Sequence, residues 1–310
     1  MNYESNDSSN KFENILLTSM KIPGVKVDRS KFLYDILGHH IKNERIISIA
    51  ISKNTIDAGI PVEKLNKIAK SLINKRTKQT ASASFAAGIP GGLAMAATIP
   101  MDTLQFFCTA LRLSQELAYL YGYEDFWNGN ELDNDKVISE LTLFLGVMFG
   151  VGGSASAVRV ISSTLSKKAI KQIPKKALTK TFYYPIIKKT AAIIGIKVTK
   201  DSFAKGVSKV IPILGGVVSG GMTYVSIKPM GKRLSNVLSE SIDNYTDEDF
   251  KRDLMDVESE IVEVDYKEVV TEDIASTVSV GDELLKFKEL LDSGLITRAE
   301  FDKKKNELMR

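Results

Sequence analysis

The sequence predicts an all-α protein: a glycine-rich multi-helix bundle, then an acidic linker and a small C-terminal helical hairpin. Three observations carry this. Apolar residues recur at helical spacing along most of the chain, while alternating β-branched residues occur only around Glu260 to Val270. Helix-start and helix-stop residues stand at the ends of those periodic runs. Glycines four residues apart recur in segments that carry no charge, the pattern that lets helix backbones approach closely.

The elements follow in order. Residues 1–24 open with MNYESNDSSN, where Glu4 and Asp7 interrupt any apolar run, so a polar, largely disordered start is expected rather than a signal peptide. A helical body spans 25–242. Its first helix is expected over Arg29–Gly38 with Asp28 as cap, and its second from Pro61 to about Lys75 with Pro61 in the first turn. Pro100 ends the next segment; Asp102 and Gln105 then form a capping-box-like pair that opens a long helix to Tyr121, stopped by Gly122. Further helices are expected at about 136–150, 153–168, 184–196, 201–210 and 213–240. Residues 243–280 read as an acidic linker poor in aromatics, although Thr246 followed by Asp247, Glu248 and Asp249 is a strong helix start.

The 310 residues suffice for one large or two modest domains, and 44% hydrophobic content suits either a soluble or a membrane-seated helical protein. The single cysteine, Cys108, allows no internal disulfide and suits a reducing compartment. The net charge of +4 conceals a partition: residues 1–242 carry 32 Lys and Arg against 18 Asp and Glu, while 243–273 carry 13 acids against 3 bases. The densest basic stretch, 161–210, has twelve lysines and one acid, Asp201. Lysine without arginine speaks against base-specific nucleic-acid reading, which favours forked arginine contacts. It suits anionic lipid headgroups, with Lys167, Lys168, Lys171, Lys175, Lys176, Lys180, Lys188 and Lys189 as candidate contacts. The plainer reading is a solvated surface balanced by the acidic linker.

Three segments lack charge: 79–101, 141–158 and 210–227, of 23, 18 and 18 residues. A spanning helix needs about 20 apolar residues, so the last two are marginal at roughly 27 Å. The first is interrupted by Pro90, Gly91, Gly92 and Pro100. A third crossing would also carry Lys228, Lys232 and Arg233 outward, against the charge rule. Three clean spans are therefore the wrong answer, and hairpin insertion, re-entrant segments and a docking soluble core stay open. Gly88 and Gly92, Gly146 and Gly150, and Gly216 and Gly220 are the candidate helix-packing pairs.

Along the long helix, Asp102, Gln105, Thr109, Arg112 and Glu116 share one face. The simple expectation is an amphipathic helix with this side wet. The sharper one is a polar seam inside an apolar bundle, with Arg112 and Glu116 lining a cavity. His39 and His40 are the only histidines, and no HExxH, paired-cysteine or GxSxG pattern occurs. The expectation is a non-enzymatic protein without cofactor or metal.

The run AAGIPGGLAMAATIPMDTLQFFCTALRLSQELAYLYG, Ala86 to Gly122, resembles the hallmark segment of the EcsC protein family, and IPILGGVVSGGMTYVSIKPMGKRL, Ile211 to Leu234, resembles that family's C-terminal glycine-rich block. The resemblance covers about residues 25–240; it implies a bacterial protein near membranes and carries over no catalytic residue. In the tail, DELLKFKELLDSGLITRAEFDKKKNELM, Leu284, Leu285, Phe287, Leu290 and Leu291 form an apolar stripe ending at Gly294. Beyond Ile296, Thr297 caps the next helix, Glu300 completes a capping box, and Phe301 and Leu308 face back. This segment, Asp282 to Met309 in a tail domain of 281–310, resembles the short C-terminal (SHOCT) domain, a helical hairpin too small to be very stable alone, which implies association with itself, the parent body or a partner.

Together these features predict a protein on the cytoplasmic side of the bacterial cell membrane, or in the cytoplasm, that meets anionic lipids and assembles through its tail, with no nucleic-acid partner. The alternative is a soluble helical module that binds an apolar ligand or serves as an oligomeric scaffold.

Overall fold

The computed structural model describes residues 12, 15–17, 19–20, 22–80, 101–128, 131–132, 137–163, 180–198, 221–243 and 245–260. All of them lie in one compact unit, Tyr3–Ile261. The expected helix over 201–210, Gly88, Gly92, Gly216, Gly220, Lys167 to Lys176 and the C-terminal hairpin fall outside the described residues, as does the alternating run after Glu260.

The fold is all-α. Helix α1 (Arg29–Gly38) starts as expected: Asp28 accepts from the Lys31 amide at 2.9 Å. Helix α2 (Glu44–Ser52) is capped by Asn43, which accepts from the Arg45 amide at 3.0 Å. Helix α3 (Val62–Thr80) follows Pro61 and runs five residues beyond the expected end. Its last turns persist because Leu72 and Ile73 are buried and Arg76 finds a carboxylate on the next helix. Helix α4 (Met101–Leu120) ends in a Schellman motif, with Gly122 at φ +99°, its amide on Tyr119 O and the Tyr123 amide on Ala118 O.

A two-residue antiparallel ladder, β1 (Trp127–Asn128) with β2 (Glu131–Leu132), was not foreseen. A π-helical turn, Val137–Leu141, then leads into α5 (Thr142–Phe149), closed by a second Schellman motif at Gly150. Helix α6 spans Ser154–Ser163. Helix α7 (Lys180–Val198) begins four residues earlier than expected and tolerates Pro185 because Tyr183, Ile186 and Ile187 on either side are buried. Helix α8 (Gly221–Ile242) is the longest.

The start of the acidic segment departs from a solvated linker. Residues 247–260 form α9, opened by a reciprocal cap in which Thr246 Oγ1 accepts from the Asp249 amide at 3.1 Å and Asp249 accepts from the Thr246 amide at 3.1 Å. Phe250 and Val257 are buried, and Asp253 takes a forked pair of bonds from Arg159 of α6 at 2.7 and 2.8 Å. The hydrogen bond to Asp253 holds the Arg159 guanidinium pKa above its ordinary value. Part of the charge partition is thus spent inside the body, where basic α6 grips acidic α9.

Helices α4 and α8 are the centre. Helix α8 packs on α3, α4, α5 and α6, while α4 also receives α1 and α3. Gly231 makes the α8 crossing possible: a Cβ there would lie 2.9 Å from Leu113 Cδ2 and 3.1 Å from Ile73 Cγ1. The predicted pair Gly146 and Gly150 divides in role. Gly146 is a packing glycine, since a Cβ would stand 2.9 Å from both Ser154 Cβ and Thr190 Cγ2. Gly150 is a helix cap at φ +73°, where a Cβ would meet only Arg233 Nη1 at 3.9 Å, so conformation and not close approach requires it there.

These two glycines make a stability prediction. Gly146→Ala should cost about 1–2 kcal/mol, because overpacking exceeds the gain in helix propensity. Gly150→Ala should cost about 1 kcal/mol through backbone strain alone. Urea denaturation reads both as lower midpoints with unchanged slope.

Candidate functional site

From Thr109 onward, the polar row on α4 is not a wet face. From Phe106 to Tyr121 every residue is buried except Arg112, which is half-buried. A helix apolar on most sides can be buried all round only if its polar residues find partners. Gln115 donates to Val25 O at 2.9 Å and to Leu111 O at 3.1 Å, and accepts from the Val27 amide and the Trp127 indole. The Glu116 carboxylate, with no exposed surface, accepts from Arg76 Nε at 2.7 Å, from Arg76 Nη2 and from Arg112 Nε at 3.0 Å. Arg112 also reaches Gly24 O. Thr109 is buried on the same face. Asp102 and Gln105 lie in the first turns of the helix, and their side chains are outside the described residues.

This network floors a cleft of about 290 Å³. Helices α1 and α3 each pack on α4, and the cleft opens between them. Helix α1 supplies Lys31, Phe32, Asp35 and Ile36, with His39 just past its end; α3 supplies Leu72, Lys75 and Arg76. Lys26 stands at the rim with its ammonium 4.3 Å from the Trp127 ring centroid. Beneath α1, the buried Arg29 guanidinium caps the end of α2, donating to Ile51 O at 2.7 Å and Lys53 O at 2.7 Å, and reaches Tyr123 O at 3.0 Å. Desolvation lowers its pKa. That clamp sets the position of α1 against the end of α4.

A second, larger groove of about 580 Å³ lies between α3 and α8. Lys70 of α3 and Lys228 and Lys232 of α8 line it, and all three are exposed. Asn66, Asn74, Asn236, Ser235 and Ser239 add uncharged polar groups. On its floor the Tyr121 hydroxyl donates to Asn66 Oδ1 at 2.7 Å and lies 2.8 Å from Ser235 Oγ. Burial pushes the Tyr121 phenol up to about 12. Glu240 is the carboxylate among the lining residues, and Arg159 stands 3.6 Å from it.

The predicted lysine contacts fare differently. Lys189 is half-buried and ion-paired with Glu260 of α9, so it serves the fold. Lys188 is also half-buried on α7, and Lys180 begins that helix with its side chain outside the described residues. Sequence reasoning did not place Lys70, Lys228 and Lys232 among the lipid contacts, and used Lys228 and Lys232 only in the topology argument. Their signal was present: Lys64, Lys67 and Lys70 recur at three-residue intervals opposite Leu65, Ile68 and Leu72, and Lys228 and Lys232 are four apart. Among the described residues, no helix is long and apolar enough to cross a membrane, and no group of three or more His, Cys, Asp or Glu could hold a metal ion.

Comparison with known families bears on the tail. Residues 282–309 match the Short C-terminal domain, SHOCT. No curated protein and no solved structure matches the chain. The SHOCT segment is a small helical module by family, and the roles of the two clefts rest on their own geometry.

Removing one arginine from Glu116 should be costly because the carboxylate stays buried. Arg76→Ala loses a forked contact and should cost about 2–3 kcal/mol. Arg112→Ala loses one bond to Glu116 and one to Gly24 O, both from a more exposed side chain, and should cost about 1 kcal/mol. Chemical denaturation of the two variants checks the order.

Proposed function

We propose that this is a non-enzymatic bacterial protein that docks peripherally on an anionic membrane surface, with the α3–α8 groove as its contact and the SHOCT segment as its assembly unit. The groove carries the reading. Three exposed lysines converge on it, and its carboxylate Glu240 faces Arg159. Asparagine and serine side chains beside the lysines suit phosphate oxygens, which accept hydrogen bonds without regard to headgroup identity.

Each lysine close to an anionic bilayer contributes about 1 kcal/mol, so three supply binding that is reversible and salt-sensitive. The resemblance of Ala86–Gly122 and Ile211–Leu234 to the EcsC family supports a location near membranes. Anchoring by one surface is weak for a single copy. Assembly through the SHOCT segment would present several grooves at once and multiply the avidity.

Flotation of the full chain with phosphatidylcholine vesicles, with and without phosphatidylglycerol, tests the docking. The protein should float with the anionic vesicles at low salt and be released at high salt. Lys70→Glu/Lys228→Glu/Lys232→Glu should weaken flotation by about 100-fold or more. Equal recovery with both vesicle types would sink the proposal. For assembly, deleting residues 282–310 should lower the mass in light scattering, and an unchanged mass would refute that role.

A further inference from the structure

We infer that the cleft between α1 and α3 is a binding site for a small amphiphilic anion: a phosphate monoester or similar compact anion carrying a short apolar chain. The site is separate from membrane docking. Helix α3 turns Lys70 and Ile73 toward the α8 groove, and Leu72, Lys75 and Arg76 toward this cleft.

Charge comes first. The cleft lining has five cationic side chains, Lys26, Lys31, Lys75, Arg76 and Arg112, against Asp28, Asp35 and Glu116. Two of the three carboxylates already have work. Asp28 caps α1 through the Lys31 amide, and Glu116 is held by both arginines. The floor therefore carries two guanidinium charges against one carboxylate, and around it three ammonium groups stand against Asp28 and Asp35, so positive charge is in excess at both levels. An excess of positive charge beside low-dielectric walls focuses potential into the cleft and draws an anion. Arg76 is also held by Gln79 and Arg112 by Gly24 O, so the floor contributes fixed positive charge, and the exposed ammonium groups of Lys31 and Lys75 contribute donors toward the opening.

The walls decide the rest of the ligand. Phe32 and Ile36 are half-buried on the face that α1 turns to the cleft, opposite Leu72, with Val27 beneath. A fully hydrated inorganic ion would leave this apolar surface uncovered. A short hydrocarbon chain on the anion would cover it, with the charged end on the Arg112, Lys31 and Lys75 side. About 290 Å³ accommodates a small molecule of this kind and not a folded partner.

The protein has one tryptophan, and it sits beneath Lys26 at the rim, so its emission reports on occupancy. Titration of the full chain with hexyl phosphate, followed by Trp127 emission and calorimetry, should show saturable binding about tenfold tighter than inorganic phosphate. Lys31→Glu/Lys75→Glu, both exposed and clear of the buried network, should weaken hexyl phosphate binding about tenfold. The same variant should still float with anionic vesicles, and the groove variant Lys70→Glu/Lys228→Glu/Lys232→Glu should still bind hexyl phosphate. Equal affinity for hexyl phosphate and inorganic phosphate would overturn the inference. So would an unchanged affinity in Lys31→Glu/Lys75→Glu, or binding confined to vesicles containing phosphatidic acid with none to hexyl phosphate in solution.

Discussion

A carboxylate with no access to water organises this fold. Glu116 sits in the middle of α4, and a bare charge there would be too expensive to bury. The chain meets that requirement from two directions. Arg112 reaches it from one turn earlier on the same helix, and Arg76 reaches it from α3. The second contact obliges α3 to extend as a helix to Arg76 and beyond, and to lie along α4 at that height. Because the pair is held by geometry and not by flexible surface attraction, it fixes register as well as proximity.

The other polar residues of α4 work in the same way at different heights. Gln115 binds the chain between Val25 and Val27 and so brings the entry to α1 onto the helix. Thr55 donates to Leu120 O at 2.9 Å and closes the C-terminal end, where Gly122 turns the chain under Ile56. Hydrophobic burial supplies the drive, since α4 is covered on every side from Phe106 onward. The polar contacts choose among the many ways of covering it. The two clefts are by-products of that arrangement. One opens where α1 and α3 diverge over Glu116, and the other where α8, brought close by Gly231, leaves α3 with its lysines at the edge.

Local signals translated well. Asp28, Pro61, Gly122 and Thr246 act where they stand because a cap or a turn is decided within four residues. In the tail, the SHOCT match at 282–309 bears out the expected SHOCT domain. Charge and glycine patterns translated less well, because their meaning depends on a partner distant in sequence. Gly146 and Gly150 look equivalent in the chain, yet one lies under Ser154 and Thr190 and the other only ends a helix. Lys189 belongs to a lysine-rich run but is held by Glu260. The acidic stretch after Asp243 reads as solvated, yet its first turns bury Phe250 and Val257 because Arg159 neutralises Asp253.

By itself, the sequence determined the helical class, several helix ends, the SHOCT tail and the existence of a polar row on α4. Each follows from spacing or from contacts within a few residues. Only the tertiary structure decided that Thr109 and Glu116 of this row are buried, that Arg76 completes it, and that the cationic clefts lie beside α3. The partners of a charge come from helices tens of residues away, and helical spacing describes a face without saying what covers it.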